Sequence, residues 1–305
     1  MSSETSQSSS LPRIPVSLVR AAAPWKRSAN ATTVLPDARK EVSAWVPDRG
    51  RLADFRRVVS ASDAAEVPIT FPQVPVMALH LDLISSLSFP IKAMGVVHLA
   101  SDVQVHGELP VDAPWTVRAW VGPGRHVRSG LEFDLCGEIR IDDELVWSSR
   151  AINLSRGKSA RGAEPSTAPE VAVPVADEGW SEPVVIPIGE GTGRAFGRVT
   201  GDVNPIHMHA LPARLFGFPS AIAHGWWTTA RILGELGSDA SEPGRRVQIV
   251  YRRPVRLPSK PQLLSRELPA EQDGVAGSRF ALVDPAKEPA DDGALASLVY
   301  GEVTG

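Results

Sequence analysis

Asp202, Asn204 and His207 fall within six residues, in the run Gly201-Asp-Val-Asn-Pro-Ile-His207. Gly201 and Pro205 pre-set a tight turn, which can aim all three polar side chains at one spot. A carboxylate and an imidazole so close can hold one water and shuttle its protons. Some twenty residues later, Gly225 follows His224 at the start of the apolar run AHGWWTTARILGELG. A helix that begins there offers unpaired backbone N–H groups and the positive end of its dipole to developing negative charge. Base, acid and oxyanion donor together suit proton removal next to a thioester carbonyl, coupled to addition or loss of water. Two other uses of these residues have to be weighed. One is an Asx-type turn with a surface histidine. The other is a metal site made from Asp202, His207, His209 and His224, since two histidines and a carboxylate can hold iron. The added helix start at the right spacing favours acid–base chemistry. His224 is more simply a packed residue, and no metal is expected.

The elements that must carry these residues are written twice. In the second half, AHGWWTTARILGELG is one apolar helix, stopped where Gly237 gives a C-terminal glycine. The strand-like runs RVQIVYRRPVRLP, PQLLSREL, AGSRFALVD and ALASLVYGEVT come after it. In the first half, PVMALHLDLISSLSF is apolar on most sides, a helix to be surrounded rather than laid on a surface. VVHLASDVQVHG, WTVRAWVG, SGLEFDLCGEIRI and LVWSSRAINL follow it. The helices start near residues 75 and 224, an offset of about 150. Several strands after one buried helix, with no helix between them, imply an antiparallel sheet wrapped around that helix. The expected class is therefore α+β, with two such sheets pairing within one chain.

Between the halves, 156–183 is rich in Pro, Ala, Ser, Glu and Gly and reads as a linker. Residues 1–35 are expected to be disordered or extended, 36–155 to form the first domain and 184–305 the second. Asn occurs only at Asn30, Asn153 and Asn204, so no second Asp-x-Asn-Pro-x-His cluster precedes the first helix. His98 and His106 lie in strand runs and read as structural histidines. One active site per chain is expected, in the second half.

The bulk composition narrows the function classes. With 32 Lys+Arg against 35 Asp+Glu the net charge is −3, unlike a dedicated nucleic-acid binder. The most apolar stretch, 74–100, is interrupted by His80, Asp82 and Lys92, so no membrane span is expected. The lone Cys136 fits a reducing cytosol, and the Ser-rich start lacks the apolar core of a signal peptide, so the expected location is cytoplasmic. One basic run stands out, Arg245, Arg246, Arg252, Arg253, Arg256, Lys260 and Arg266. It reads first as the solvated face and ends of a strand. The competing reading is a landing site for coenzyme A phosphates or an acidic carrier protein, with Arg252 and Arg253 as candidate contacts.

The stretch FGRVTGDVNPIH…GFPSAIAHG resembles the signature of the MaoC-like (R)-specific enoyl-CoA hydratases and 3-hydroxyacyl-thioester dehydratases. The likeness covers most of the second half. The first half resembles the degenerate N-terminal repeat of the longer, double hot-dog members through its pattern and phrases such as SFPIKAMGVVHL. The resemblance implies reversible hydration of trans-2-enoyl thioesters to (R)-3-hydroxyacyl thioesters in fatty-acid metabolism. Asp202 and His207 would then activate the water and the Gly225 amide would hold the thioester oxygen. Asn204 would organise the turn, supported by Thr200, Gly201, Pro205 and His224. Thr200 stands where Ser is commoner. Trp226 and Trp227 stand where a smaller or more flexible residue is usual, and would reshape the acyl pocket. No cofactor is implied beyond coenzyme A or acyl carrier protein as substrate carrier. The chain would be a monomeric pseudo-dimer or a homodimer. The alternatives are a hot-dog acyl-thioester hydrolase and a non-catalytic acyl-thioester binding or partner subunit.

Overall fold

The computed structural model describes residues 4–8, 10–12, 29–30, 32–62, 67–92, 95–157, 163–268 and 277–305. The first half contains β1 (Glu4–Ser8), β2 (Ala38–Trp45), α1 (Arg49–Val59) and α2 (Gln73–Ser85), then β3 (Val96–Val105), β4 (Trp115–Val127), β5 (Gly130–Ile141) and β6 (Glu144–Arg156). The second contains β7 (Val184–Val185), α3 (Thr192–Thr200), α4 (Pro205–Met208), α5 (Ala210–Leu215) and α6 (Gly225–Glu235), then β8 (Arg246–Tyr251), β9 (Gln262–Leu268), β10 (Gly277–Val283) and β11 (Ser297–Thr304).

All the strands join one sheet in the order β1-β2-β4-β5-β6-β3-β8-β11-β10-β9-β7. Read outward from the centre, 3-6-5-4-2 on one side matches 8-11-10-9-7 on the other, so each half is the same hot-dog sheet. β3 begins at Val96 and β8 at Arg246, which makes the repeat visible in the chain itself. The halves meet where β3 and β8 pair antiparallel, Ala100 opposite Val250 and Gln104 opposite Arg246. Arg246 locks that seam with two bonds to Asp102, Nε–Oδ1 2.9 Å and Nη2–Oδ2 2.7 Å. Among the described residues every strand pairing is antiparallel except that of β1, which runs parallel to β2 in the segment expected to be disordered or extended. Residues 13–28 of that segment lie outside the described residues.

α2 is buried from Gln73 to His80 and again at Leu83 and Ser85, as a helix without a polar face must be. It ends at Ser85, and Leu87, inside the run PVMALHLDLISSLSF expected to be helical, lies beyond it and is 78% exposed. α6 buries Trp226–Ala230, Ile232 and Leu233. Past its last turn Gly237 takes a positive φ of 63°, the expected glycine stop. One apolar core spans both halves. They are also tied by Trp227, whose Nε1 donates to Val58 O at 3.0 Å, and by Asp239, which accepts from the Ser62 amide at 2.9 Å.

The connecting segment is laid along the sheet. Ser166 Oγ donates to Glu132 at 2.6 Å, Arg150 Nη2 to Thr167 O at 2.9 Å, and Arg279 Nη1 to Glu178 at 2.8 Å. Polar residues thus anchor a stretch with too few apolar ones to build its own core. Residues 158–162 of it lie outside the described residues. No helix among the described residues is long and apolar enough to cross a membrane.

Candidate active site

The turn that carries Asp202 and His207 rests on α3. Gly193 and Gly197 stand four residues apart, one helical turn, and so face the same way. A Cβ on Gly193 would meet His207 O at 1.9 Å, and one on Gly197 would meet Asp202 O at 2.7 Å. The turn therefore sits directly on helix backbone, which only glycine allows. α3 ends at Gly201 with φ 85°, and Thr200 Oγ1 donates to Phe196 O (2.9 Å) while accepting from the Asp202 amide (3.3 Å). The Asn204 amide donates to Asp202 Oδ1 at 3.1 Å, and the Asn204 side chain caps α4 through the Ile206 amide at 3.4 Å. Pro205 takes the first helical position, where its missing N–H costs nothing.

These contacts bring together the residues singled out by spacing. His207 Nδ1 lies 2.9 Å from Ile222 O, an acceptor only, so Nδ1 carries the hydrogen and Nε2 is left as a lone pair. His224 Nε2 donates to Asp202 O at 3.0 Å and lies 3.8 Å from Asp202 Oδ2. The two imidazoles stack with centroids 3.8 Å apart at 28°. Burial lowers the His207 pKa below its ordinary value, and the Asp202 charge and the Ile222 carbonyl pull it partly back. Burial and then the neighbouring His207 push His224 down to about 3. Both rings are therefore neutral near pH 7. His224 is the packed residue its position suggested, buried and holding the Asp202 backbone.

Asp202, His207 and His224 also offer ligand atoms within 4.8 Å of one another. One nitrogen of each ring is already held by a backbone carbonyl, His207 Nδ1 by Ile222 O and His224 Nε2 by Asp202 O, which leaves one free nitrogen on each. His209, the fourth candidate, is exposed and outside the cluster. The arrangement suits proton transfer better than metal binding.

Gly225 opens α6, so its N–H has no partner within the helix. The carbonyl of the same peptide unit, His224 O, accepts from Thr228 N at 3.0 Å and Thr228 Oγ1 at 3.1 Å. Two bonds to that oxygen polarise the N–H on the other side of the peptide.

Asp202, Asn204, His207 and Gly225 all line one cavity of about 610 Å³. Its walls come from both halves: Met77, Leu81 and Ile84 of α2 and Phe133 of β5 face residues of the second half. Exposed Arg156, Arg252 and Arg253 also line it and mark its mouth. Five of the seven cations in the basic run fall into two groups. Arg245, Arg246 and Arg266 pair with Glu242, Asp102 and Glu178, the strand-face role expected first. Arg252 and Arg253, at the end of β8, have no ion pair among the described residues and meet the cavity.

Of the tryptophans, Trp226 lines the cavity and Trp227 does not. The expectation that both shape the acyl pocket is corrected for Trp227: consecutive helical residues point about 100° apart, so it reaches α1 instead. Pattern reading missed Arg156, Tyr251 and His98, which all line the cavity. It also missed Gly193 and Gly197, whose spacing with Gly201 in GRAFGRVTG was the available signal. Cys136 is half-buried, its thiol pushed up to about 12 chiefly by burial, and is no nucleophile.

A family model for the MaoC like domain matches residues 167–258. The 3-hydroxyacyl-thioester dehydratase X of Mycobacterium tuberculosis is 28% identical over 243 residues, covering 79% of this chain and 85% of that protein. The crystal structure of HtdX from the same organism superposes with a TM-score of 0.68 and 25% identity, over 87% of this chain and 98% of that one. A MaoC-like dehydratase from Phytophthora capsici gives 0.65 at 16% identity, over 90% and 97% of the two chains. An acyl-ACP thioesterase from Bacteroides thetaiotaomicron shares the fold at 10% identity, with a TM-score of 0.52 over 87% and 97%.

Proposed function

We propose, for a chain whose residues 167–258 match the MaoC like domain, that it is a hydro-lyase adding water to trans-2-enoyl thioesters and removing it from (R)-3-hydroxyacyl thioesters of fatty-acid metabolism. The observation that carries this reading is the unprotonated Nε2 of His207, set beside the Asp202 carboxylate and the Gly225 amide in one cavity. In hydration a water sits between His207 Nε2 and the Asp202 carboxylate. His207 takes one proton as the water oxygen forms its bond to C3 and the C2–C3 π electrons move onto the thioester. The developing oxyanion is met by the polarised Gly225 N–H. Asp202 accepts the remaining O–H and holds the oxygen's lone pair toward C3. Protonated His207 returns its proton to C2 on the same face, so the addition is syn and each atom of water is accounted for. The steps are one addition to C3 and two proton transfers, and the reaction calls for no metal, flavin or redox nucleotide.

The acyl chain lies along Met77, Leu81 and Ile84 in the first half, and the carrier leaves past Arg156, Arg252 and Arg253. Guanidinium groups with no ion pair among the described residues suit the phosphates of a phosphopantetheine carrier. Coenzyme A is the carrier we favour, with acyl carrier protein as the alternative. The fold also serves thioesterases, so the site and not the architecture must decide the reaction. A cytoplasmic setting belongs to the same proposal, because a chain with one cysteine has no internal disulfide to protect.

The test is a series of trans-2-enoyl-CoA substrates of increasing length, followed by enoyl absorbance and a thiol reagent. Loss of the enoyl band without free thiol supports hydration. Thiol release makes the protein a thioesterase. No change at any length makes it a binder.

A further inference from the structure

The first half holds none of the proton-transfer residues, yet it reaches the oxyanion donor. β3 carries a bulge: His98 pairs with Asn153 and Ala100 with Ile152, leaving Leu99 as an extra residue. Bulges re-aim side chains, and are over-represented beside active sites. This one sets His98 into the wall of the cavity that holds Gly225. A Cβ on Gly225 would lie 3.1 Å from His98 Nδ1 and 3.3 Å from the Tyr251 ring, so both rings press directly on the glycine. His98 and Tyr251 have centroids 4.5 Å apart.

A hydrogen-bond chain runs behind this contact. His98 Nε2 lies 2.8 Å from Ser101 Oγ, and Ser101 is fully buried. The Tyr251 hydroxyl, its pKa raised to about 12 by burial and partly held back by Thr229 and Ser101, lies 2.6 Å from Thr229 Oγ1. Thr229 Oγ1 donates to Gly225 O at 3.1 Å. The chain thus begins on the first half's central strand and ends on the first residue of α6. Glycine has the freest backbone, and an amide used as an oxyanion donor has to be held from outside.

We infer that His98, with Ser101 behind it, is a positioning residue by which the first half fixes the direction of the Gly225 amide. This rests on the hydratase reading, since the Gly225 N–H matters only to a thioester oxygen. His98 touches no reacting atom in this account and acts through Gly225 and Tyr251.

The test uses the full chain with His98→Ala, Ser101→Ala and Tyr251→Phe, the last keeping the ring against Gly225 and deleting only the hydroxyl. Turnover is read with trans-2-octenoyl-CoA. The carbonyl stretch of bound octanoyl-CoA, which has no double bond or hydroxyl to react, is read by infrared difference spectroscopy. Each variant is expected to lose about tenfold or more in kcat with KM changed less than about threefold, because a misplacement of an ångström suffices for such losses. The bound carbonyl should shift back toward its free frequency in His98→Ala, and the Ser101→Ala and Tyr251→Phe effects should be less than additive. A merely structural role would lower the unfolding temperature without moving the carbonyl band of the folded protein. Folded variants with kcat within twofold of the parent, or an unmoved band, overturn the inference. If the parent chain hydrates no enoyl thioester, the hydratase reading fails, while the carbonyl band still tests the positioning.

Discussion

The heads of α2 and α6 occupy matching places in matching sheets and both line the cavity, through Gln73 and Gly225, yet only the second stands beside a carboxylate–imidazole turn. At the head of α6 stands Gly225, which lines the cavity, with two hydrogen bonds on the carbonyl behind it. At the head of α2 stands Gln73, buried, accepting from Ser149 Oγ at 3.0 Å and lying 3.5 Å from His80 Nδ1. Before α6 comes the glycine-faced α3 and the Asp202–His207 turn. Before α2 comes α1, whose Phe55 packs on Phe71 and Phe196 with centroids at 5.4 and 6.0 Å. The sheet thus supplies a helix start in both halves, while the segment between the first strand and the helix decides whether aromatic packing or the Asp202–His207 turn precedes it. In exchange, the first half gives its helix face to the cavity.

Four substitutions and one titration probe this contrast. The largest loss is expected for His207→Gln, which removes the lone pair and should lower hydration kcat by about 10²–10⁴-fold with the fold intact by circular dichroism. Gly193→Ala should follow, at roughly 10²-fold, because its Cβ would strike the backbone of His207 and the turn must shift. A Gly193→Ala enzyme of full activity would show that the turn does not depend on α3.

Acid should unfold the protein through its buried histidines. Burial pushes His80 and His98 to about 4 and His224 to about 3, against 6.5 in the unfolded chain. Below pH 6.5 the unfolded state binds protons that the folded state refuses. Stability is therefore full above about pH 6.5 and falls as pH drops toward 4, by kcal/mol in total. A melting temperature flat between pH 7 and 4 contradicts this. Hydration rates should hold at pH 6.5 and fall only in more acidic solution, since His207 must stay neutral and its pKa is lowered.

Gln73→Ala, the counterpart change at the head of α2, should cost about 1–3 kcal/mol in stability by leaving Ser149 unpaired, and move kcat only a few-fold. The smallest effect is selective. Leu81→Trp should fill the acyl side of the cavity and raise KM for long enoyl-CoA esters, leaving crotonyl-CoA turnover within about twofold.

The duplication was legible because periodicity survives divergence: each helix is followed by its strands at the same offset. The Asp202–His207–Gly225 set was legible because turn and helix-start residues act locally. His98 was not, since alternation along β3 marks wall positions but does not reveal a bulge at Leu99, and Gly225 and Tyr251, against which it packs, lie in the other half of the chain. Trp227 was misassigned because composition names an apolar helix without saying which side faces the ligand. The basic run looked uniform in the chain, and folding divided it according to which acids came within reach. The connecting segment looked like a tether because its anchors, Glu132 and Arg279, belong to strands far from it in sequence.

The central claim is that one carboxylate–imidazole pair, in the second half alone, moves the protons of a single water. Its most direct measurement is hydration of trans-2-octenoyl-CoA by Asp202→Asn, read as loss of enoyl absorbance with thiol release monitored in parallel. The account predicts a folded protein that still binds octanoyl-CoA, turns over about 10²–10⁴-fold more slowly and releases no thiol. Undiminished hydration by that variant would contradict it.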